Sequence, residues 1–167
     1  MKNDVKNQFL LDPDVTFLNH GSFGACPKPV FEDYQHWQKK LEQQPVLFST
    51  ETVYEQLRQS RTALGDFVGC HEQDLVFFQN PTTAVSNIIF SLELKPGDEI
   101  LMSNHEYGAL VRAWSKWGRR QQVKIVQQEV KLPVTTRENF TDNFWAGVTQ
   151  RTKVIFLSQI TSSTALE

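Results

Sequence analysis

Residues 99–118 read Glu99-Ile100-Leu101-Met102-Ser103-Asn104-His105-Glu106-Tyr107-Gly108-Ala109-Leu110-Val111-Arg112-Ala113-Trp114-Ser115-Lys116-Trp117-Gly118. Glu99 to Met102 has the look of a short buried strand. From Glu106 to Trp117 the apolar side chains Tyr107, Leu110, Val111, Trp114 and Trp117 fall at helical spacing. Gly118 is the expected stop of that helix, and Val123 to Val130 reads as the next strand. A strand, a helix and a strand in this order are too far apart for a hairpin, so the two strands should be parallel and joined by a crossover.

The alternation extends both ways. Upstream, Leu75-Val76-Phe77-Phe78 is an apolar strand candidate. Asn80 then suits an N-cap and Pro81 the first helical position. The stripe Ala84, Val85, Ile88, Ile89 and Leu92 follows, and Lys95-Pro96-Gly97-Asp98 reads as a turn. Downstream, Arg137 to Val148 has helical character. Lys153 to Leu157 is a last strand, apolar enough to be covered on both faces. Residues 70–167 thus predict an α/β domain with a mostly parallel sheet flanked by helices.

Residues 1–69 read differently, as an arm and helices outside that sheet. Val15 to Asn19 is a short strand candidate running into the glycine turn Gly21 to Gly24. Pro27 and Pro29 open a helix with Val30, Tyr34, Trp37 and Leu41 on one side, and Pro45 closes it. Thr50 is the candidate N-cap of a second helix, marked by Val53, Leu57, Leu64, Phe67 and Val68 and stopped by Gly69.

The chain has 167 residues, 40% apolar and 22% charged, with a formal net charge of -2. That is an ordinary globular composition, and it gives no electrostatic reason to expect nucleic acid or an anionic membrane as partner. No stretch has the length of a membrane span, and Met1 to Asp14 holds no apolar run of signal-peptide length. Cys26 and Cys70 lack metal-ligand spacing and a disulfide framework, and the four histidines form no zinc pattern, so a reducing cytoplasm is the expected setting.

Four motifs sit where elements start or stop: Leu18 to Gly24, Asn80 to Ala84, Asn104 to Ala109 and Ser158 to Thr164. In the second, the unpaired amides of a helix start and the hydroxyls of Thr82 and Thr83 would suit a phosphate; a helix cap alone also accounts for it. His105 follows a strand at the edge where doubly wound sheets bind ligands. Its imidazole could stack on a flat heterocycle or move a proton, and Tyr107 is a second candidate for that face. A turn histidine and a core tyrosine are the plainer alternatives. Asn19, His20 and Gly21 could hold a carboxylate or form only a turn. Thr161 to Thr164 is a ligand-edge loop or a polar loop. Three of the four motifs would converge on one sheet edge.

In this order and wording the motifs resemble the class V aminotransferase family of fold-type-I pyridoxal-phosphate enzymes. The likeness is greatest to its isopenicillin N epimerase-like branch and runs from about Thr16 to Leu166. The resemblance implies that Thr82 and Thr83 hold the phosphate of pyridoxal 5'-phosphate. It implies a ring on the pyridine face at His105, one register from Tyr107, and a hydrogen bond to the cofactor's phenolic oxygen from Ser162. Asn19, His20 and Gly21 would line the pocket of an amino acid or amine substrate. Relatives usually carry His, Pro and Gly where this chain has Gln159, Ser163 and Ala165. They also carry a pyridinium-pairing aspartate and a Schiff-base lysine in a stretch that would follow Glu167. The resemblance therefore implies the first part of a longer homodimeric transaminase, epimerase or lyase, with no turnover by residues 1–167 alone. A non-catalytic phosphate-binding module and a complementation subunit are the competing expectations.

Overall fold

The computed structural model describes residues 5–167, which fall into two units, one ending at Val76 and one spanning Phe77–Glu167. In the first unit, α1 (Lys28–Gln43) opens with Pro29 in its first turn. Pro45 ends α1 and at once begins α2 (Pro45–Leu47), since a helix start needs no N–H from proline. A π-helical stretch, Phe48–Thr52, leads without a break into α3 (Val53–Val68). Thr50 is therefore not an N-cap. It lies inside the helical run, and its hydroxyl donates to the Val46 carbonyl at 2.8 Å. Gly69 ends α3 at φ 77°, its N–H on the Gly65 carbonyl at 2.8 Å. Val15 to Asn19 does not form the expected strand. The only bridge the arm makes among the described residues joins Phe9 and Pro27.

In the second unit the elements are α4 (Pro81–Ser91), β1 (Glu99–Ser103), α5 (Gly108–Gln121), β2 (Lys124–Gln128), α6 (Arg137–Trp145) and β3 (Thr152–Phe156). The strands form a parallel sheet in the order β2-β1-β3, with Leu101 opposite Val126 on one side and Ile155 on the other. All of β1 is buried. Its Ile100 and Met102 join Ile89, Trp114, Trp117 and Val123 in the main core, with Ile125, Val154 and Phe156 packed against it. That face is covered by α4 and α5. On the opposite face a Cβ at Gly147 would stand 2.7 Å from Leu101, and Gln128 donates to the Asn143 carbonyl at 2.9 Å, so the end of α6 covers β1 and β2. Crossovers on opposite faces, running to opposite sides of β1, are what a right-handed rule requires.

Two further expectations differ from the structure. Leu75 to Phe78 pairs with no strand among the described residues, and Val76 is 73% exposed. Apolar patterning makes a segment competent for a sheet, but its backbone still needs a neighbour. Gly118 does not stop α5; it is buried within it, where a Cβ would meet the Val123 carbonyl oxygen at 2.9 Å, and Gln122 ends the helix at φ 57°. The last strand, apolar enough for cover on both faces, has it on one among the described residues: Phe156 lies on Trp114 at 5.6 Å, while Ile155 and Leu157 are over two-fifths exposed.

At the amino end of β1 the buried Glu99 carboxylate accepts from the Thr149 hydroxyl at 2.6 Å, from Arg151 at 2.9 and 3.2 Å and from Lys124 at 3.3 Å. The Thr149 hydrogen bond, helped by Lys124 and Arg151 and opposed by burial, holds its carboxyl below the usual glutamate range. A depressed carboxylate contributes stability that is present above its unfolded pKa and lost as pH falls through the folded one. Glu99→Gln should therefore flatten the fall of stability below about pH 4.5, measured as urea midpoints across an acid series. An unchanged slope in the variant would exclude Glu99 as a source of acid sensitivity.

Candidate functional site at the carboxyl edge of the sheet

β1 ends in a tight turn, Asn104-His105-Glu106, and each of these side chains or amides ties it to a neighbour. The Asn104 N–H donates to the Gln128 carbonyl at 3.1 Å, and the Asn104 side-chain oxygen accepts the Val130 N–H at 2.9 Å. His105 is buried, and its Nε2 lies 2.7 Å from the Val130 carbonyl oxygen. A carbonyl only accepts, so Nε2 carries the proton. These three bonds tie the carboxyl end of β1 to the end of β2.

Glu106 is buried as well. Its carboxylate accepts from the Ser103 hydroxyl at 2.8 Å, the Ser158 N–H at 3.2 Å and the Ser158 hydroxyl at 2.6 Å. Ser103 Oγ in turn accepts the His105 N–H at 3.2 Å. Tyr107 is different. It stands at the N-cap of α5 with extended backbone, its carbonyl accepts the N–H groups of Leu110 and Val111, and its side chain is 49% exposed. Of the two rings read as candidates from the sequence, Tyr107 is the open one, and His105 is engaged inside the fold.

α4 starts as a capped helix. Asn80 Oδ1 accepts the Thr83 N–H at 2.8 Å and the Thr83 hydroxyl at 3.1 Å. The Thr82 hydroxyl and N–H find no acceptor among the described residues. Ser162 is exposed in a turn held by Thr161, whose hydroxyl pairs with Thr164 Oγ1 at 2.7 Å and accepts the Leu166 N–H at 2.8 Å. Ala165 sits at φ 51°, in the left-handed region that glycine adopts without cost. Beyond the end of β3 a cavity of about 780 Å³ opens between Leu157, Ser158, Gln159 and Thr161 and the start of α6 at Thr136 and Arg137.

Thr82, Thr83, His105, Tyr107 and Ser162 all belong to the second unit, and among the described residues no hydrogen bond or ring contact links them directly. Asn19, His20 and Gly21 belong to the first. There His20 packs between Phe9 and Phe17, ring centres 5.6 and 4.7 Å away, against a cavity of about 290 Å³. Glu106 and Ser158 lie inside quoted motifs, yet neither is singled out there as an individual residue. Glu106 has a signal of its own: an acid four residues before Leu110 and eight before Trp114 keeps the register of the buried stripe, although it stands in the turn before α5. Nothing in the spacing of Ser158 identifies its partner across the sheet.

The Aminotransferase class-V family model matches residues 24–165. Isopenicillin N epimerase of Amycolatopsis lactamdurans is 32% identical over 98% of this chain and 42% of its own length. A probable chloroplastic L-cysteine desulfhydrase of Arabidopsis thaliana is 22% identical over 90% of this chain and 35% of its own. Among solved structures, a C-DES variant with glycine covalently linked to its PLP cofactor superposes with a TM-score of 0.83 at 20% identity, over 93% of this chain and 41% of that one. The fold is thus shared with the fold-type-I enzymes, and the chain spans about two-fifths of the length of its epimerase relative.

Proposed function

The chain belongs to the aminotransferase class-V family, and from that premise we propose that it forms part of a pyridoxal 5'-phosphate enzyme acting on an amino acid or amine. The observation that carries the reading is the start of α4. Asn80 satisfies one first-turn amide, Pro81 has none, and Thr82 is left with an N–H and a hydroxyl that no protein group among the described residues takes up. A helix start of this kind welcomes a phosphate dianion. Tyr107, flat, half-exposed and at the carboxyl edge of β1, supports the same reading as a surface for the heterocycle. The residues present therefore fit the group.

When bound, pyridoxal phosphate supplies the electron sink that lets a bond at the substrate's α-carbon break. This chain's part is to bind and orient. Thr82 and Thr83 would hold the phosphate, the former by its free donors and the latter by a hydroxyl now turned to Asn80. Tyr107 would cover one face of the ring. His105, its Nε2 proton committed to Val130, would fix the turn from below and offer its remaining nitrogen as acceptor. Ser162 would meet the phenolic oxygen, and Asn19, His20 and Gly21 the substrate. A homodimer and a cytoplasmic setting belong to the same proposal, on the resemblance alone. The relatives include an epimerase and a desulfhydrase, so the reaction type is not part of it.

The test is equilibrium binding of pyridoxamine 5'-phosphate, which has no aldehyde to react with surface lysines, against inorganic phosphate. We expect pyridoxamine phosphate to bind at least tenfold more tightly. Thr82→Ala should weaken it by about tenfold, the loss of the hydroxyl's one hydrogen bond to a charged group, the backbone N–H remaining. Tyr107→Phe should be neutral and Tyr107→Ala should not. Equal binding of the two ligands would replace this reading with a plain phosphate-binding module.

A further inference from the structure

We propose that Glu106 is a positioning residue, the carboxylate that keeps the turn carrying His105 and Tyr107 in register with the loop carrying Ser162. The proposal rests on the cofactor reading for what this edge is used for, and on geometry for the tie itself. The three donors that converge on Glu106 come from two places: Ser103 at the end of β1, and the N–H and hydroxyl of Ser158 in the loop after β3. No cation is among these partners. A carboxylate at 7% exposure is tolerated only where such donors surround it, so its position is dictated by both strands at once.

The tie reaches the ring residues through short links. Ser103 has one hydroxyl proton, and giving it to Glu106 leaves the oxygen lone pairs to accept the His105 N–H. His105 then bonds the Val130 carbonyl beyond β2. From Ser158 to Val130 the bonds run across all three strand ends, and Glu106 is the member that joins the β3 side to the β1 side. Glutamine could keep the tie: its oxygen accepts, and the Ser158 hydroxyl can rotate to accept from the new amide. Alanine offers nothing to any of the three donors.

The test uses the isotopically labelled chain, with Glu106→Ala, Glu106→Gln and Ser158→Ala. In Glu106→Ala the Ser158 amide should exchange with solvent about tenfold faster or more, and the His105 ring signals should shift. The Trp114 and Trp117 indole signals should stay in place, and Glu106→Gln should restore most of the wild-type behaviour. Ser158 exchange within twofold of wild type in Glu106→Ala would overturn the proposal. So would equal disturbance of the core indoles, which would make Glu106 a general stabiliser. If Glu106→Ala does not fold, Ser158→Ala decides: it should move the His105 ring signals on the far side of Glu106, and unmoved signals overturn the tie. Pyridoxamine 5'-phosphate retention should fall about tenfold in Glu106→Ala and recover in Glu106→Gln; unchanged retention counts against the positioning role. A wild-type chain that holds this ligand no better than phosphate sinks the cofactor reading instead, and the exchange rates still decide whether the tie exists.

Discussion

Trp114→Ala should cost the second unit about 3–5 kcal/mol, a large part of the ~5–15 kcal/mol that holds a whole domain folded. Trp114 is 2% exposed and sits at the centre of the core, edge-on to Trp117 at 6.3 Å and tilted on Phe156 at 5.6 Å. It joins α5 to β3, so its loss opens a cavity between two layers that backbone relaxation cannot close. Its indole Nε1, however, has no acceptor among the described residues. Trp114→Phe removes that unpaired N–H, whose burial costs about 1–3 kcal/mol, along with part of the ring. The two effects oppose each other, and Trp114→Phe should lie within about 1 kcal/mol of wild type. Urea unfolding followed by far-UV circular dichroism separates the cases. An alanine variant as stable as the phenylalanine one would mean that this ring does not organise the core.

Gly65→Ala should destabilise the first unit by about 2 kcal/mol, against the usual sign for such a change. In an exposed helix interior, alanine gains about 1 kcal/mol over glycine. At Gly65 a Cβ would stand 2.6 Å from the Cys70 carbonyl oxygen and 3.5 Å from the Glu72 amide nitrogen. The chain turns back over this position because Gly69 and Cys70 both donate to the Gly65 carbonyl, at 2.8 and 3.0 Å. Backbone cannot step aside as a side chain can, and overpacking of this kind costs about 1–3 kcal/mol before the disturbed helix end is counted. Gly21→Ala is the control, since nothing lies within 4 Å of a Cβ there. Thermal unfolding midpoints that fall equally in the two variants would contradict the close approach at Gly65.

The parallel sheet could be read from residues 99–157 because its signal is local. Ile100 and Met102 alternate with Leu101, the stripe Leu110-Trp114-Trp117 keeps helical spacing, and each segment is long enough to show its period. Leu75 to Phe78 shows the limit of that signal. Its composition says strand, but pairing is a property of two segments, and only one of them can be inspected at a time. Gly118 misled for a related reason. A glycine late in a helix signals an end, unless a neighbouring strand passes too close for any Cβ, and here Val123 and Ile125 do. At the site, the candidate residue types were legible in the motifs, and their division of labour was not. That His105 is turned inward to Val130 while Tyr107 stays open depends on a bond between residues 25 apart in sequence. The Glu106 to Ser158 bonds span 52. No periodicity reports on such pairs.

β1 has a bearing on how this sequence can vary over generations. It is flanked on both edges, and each of its side chains is covered. A mutation there has no silent place to fall, whereas the loops after β2 and β3 are mostly exposed, Val130 and Ser158 apart. In a laboratory drift experiment selecting only for folded chain, Glu99 to Ser103 should accumulate the fewest substitutions. Tyr107, which the fold itself barely uses, should wander freely until selection is also placed on ligand binding. The contrast between those two selections would mark out, residue by residue, which part of the carboxyl edge is kept for architecture and which for chemistry.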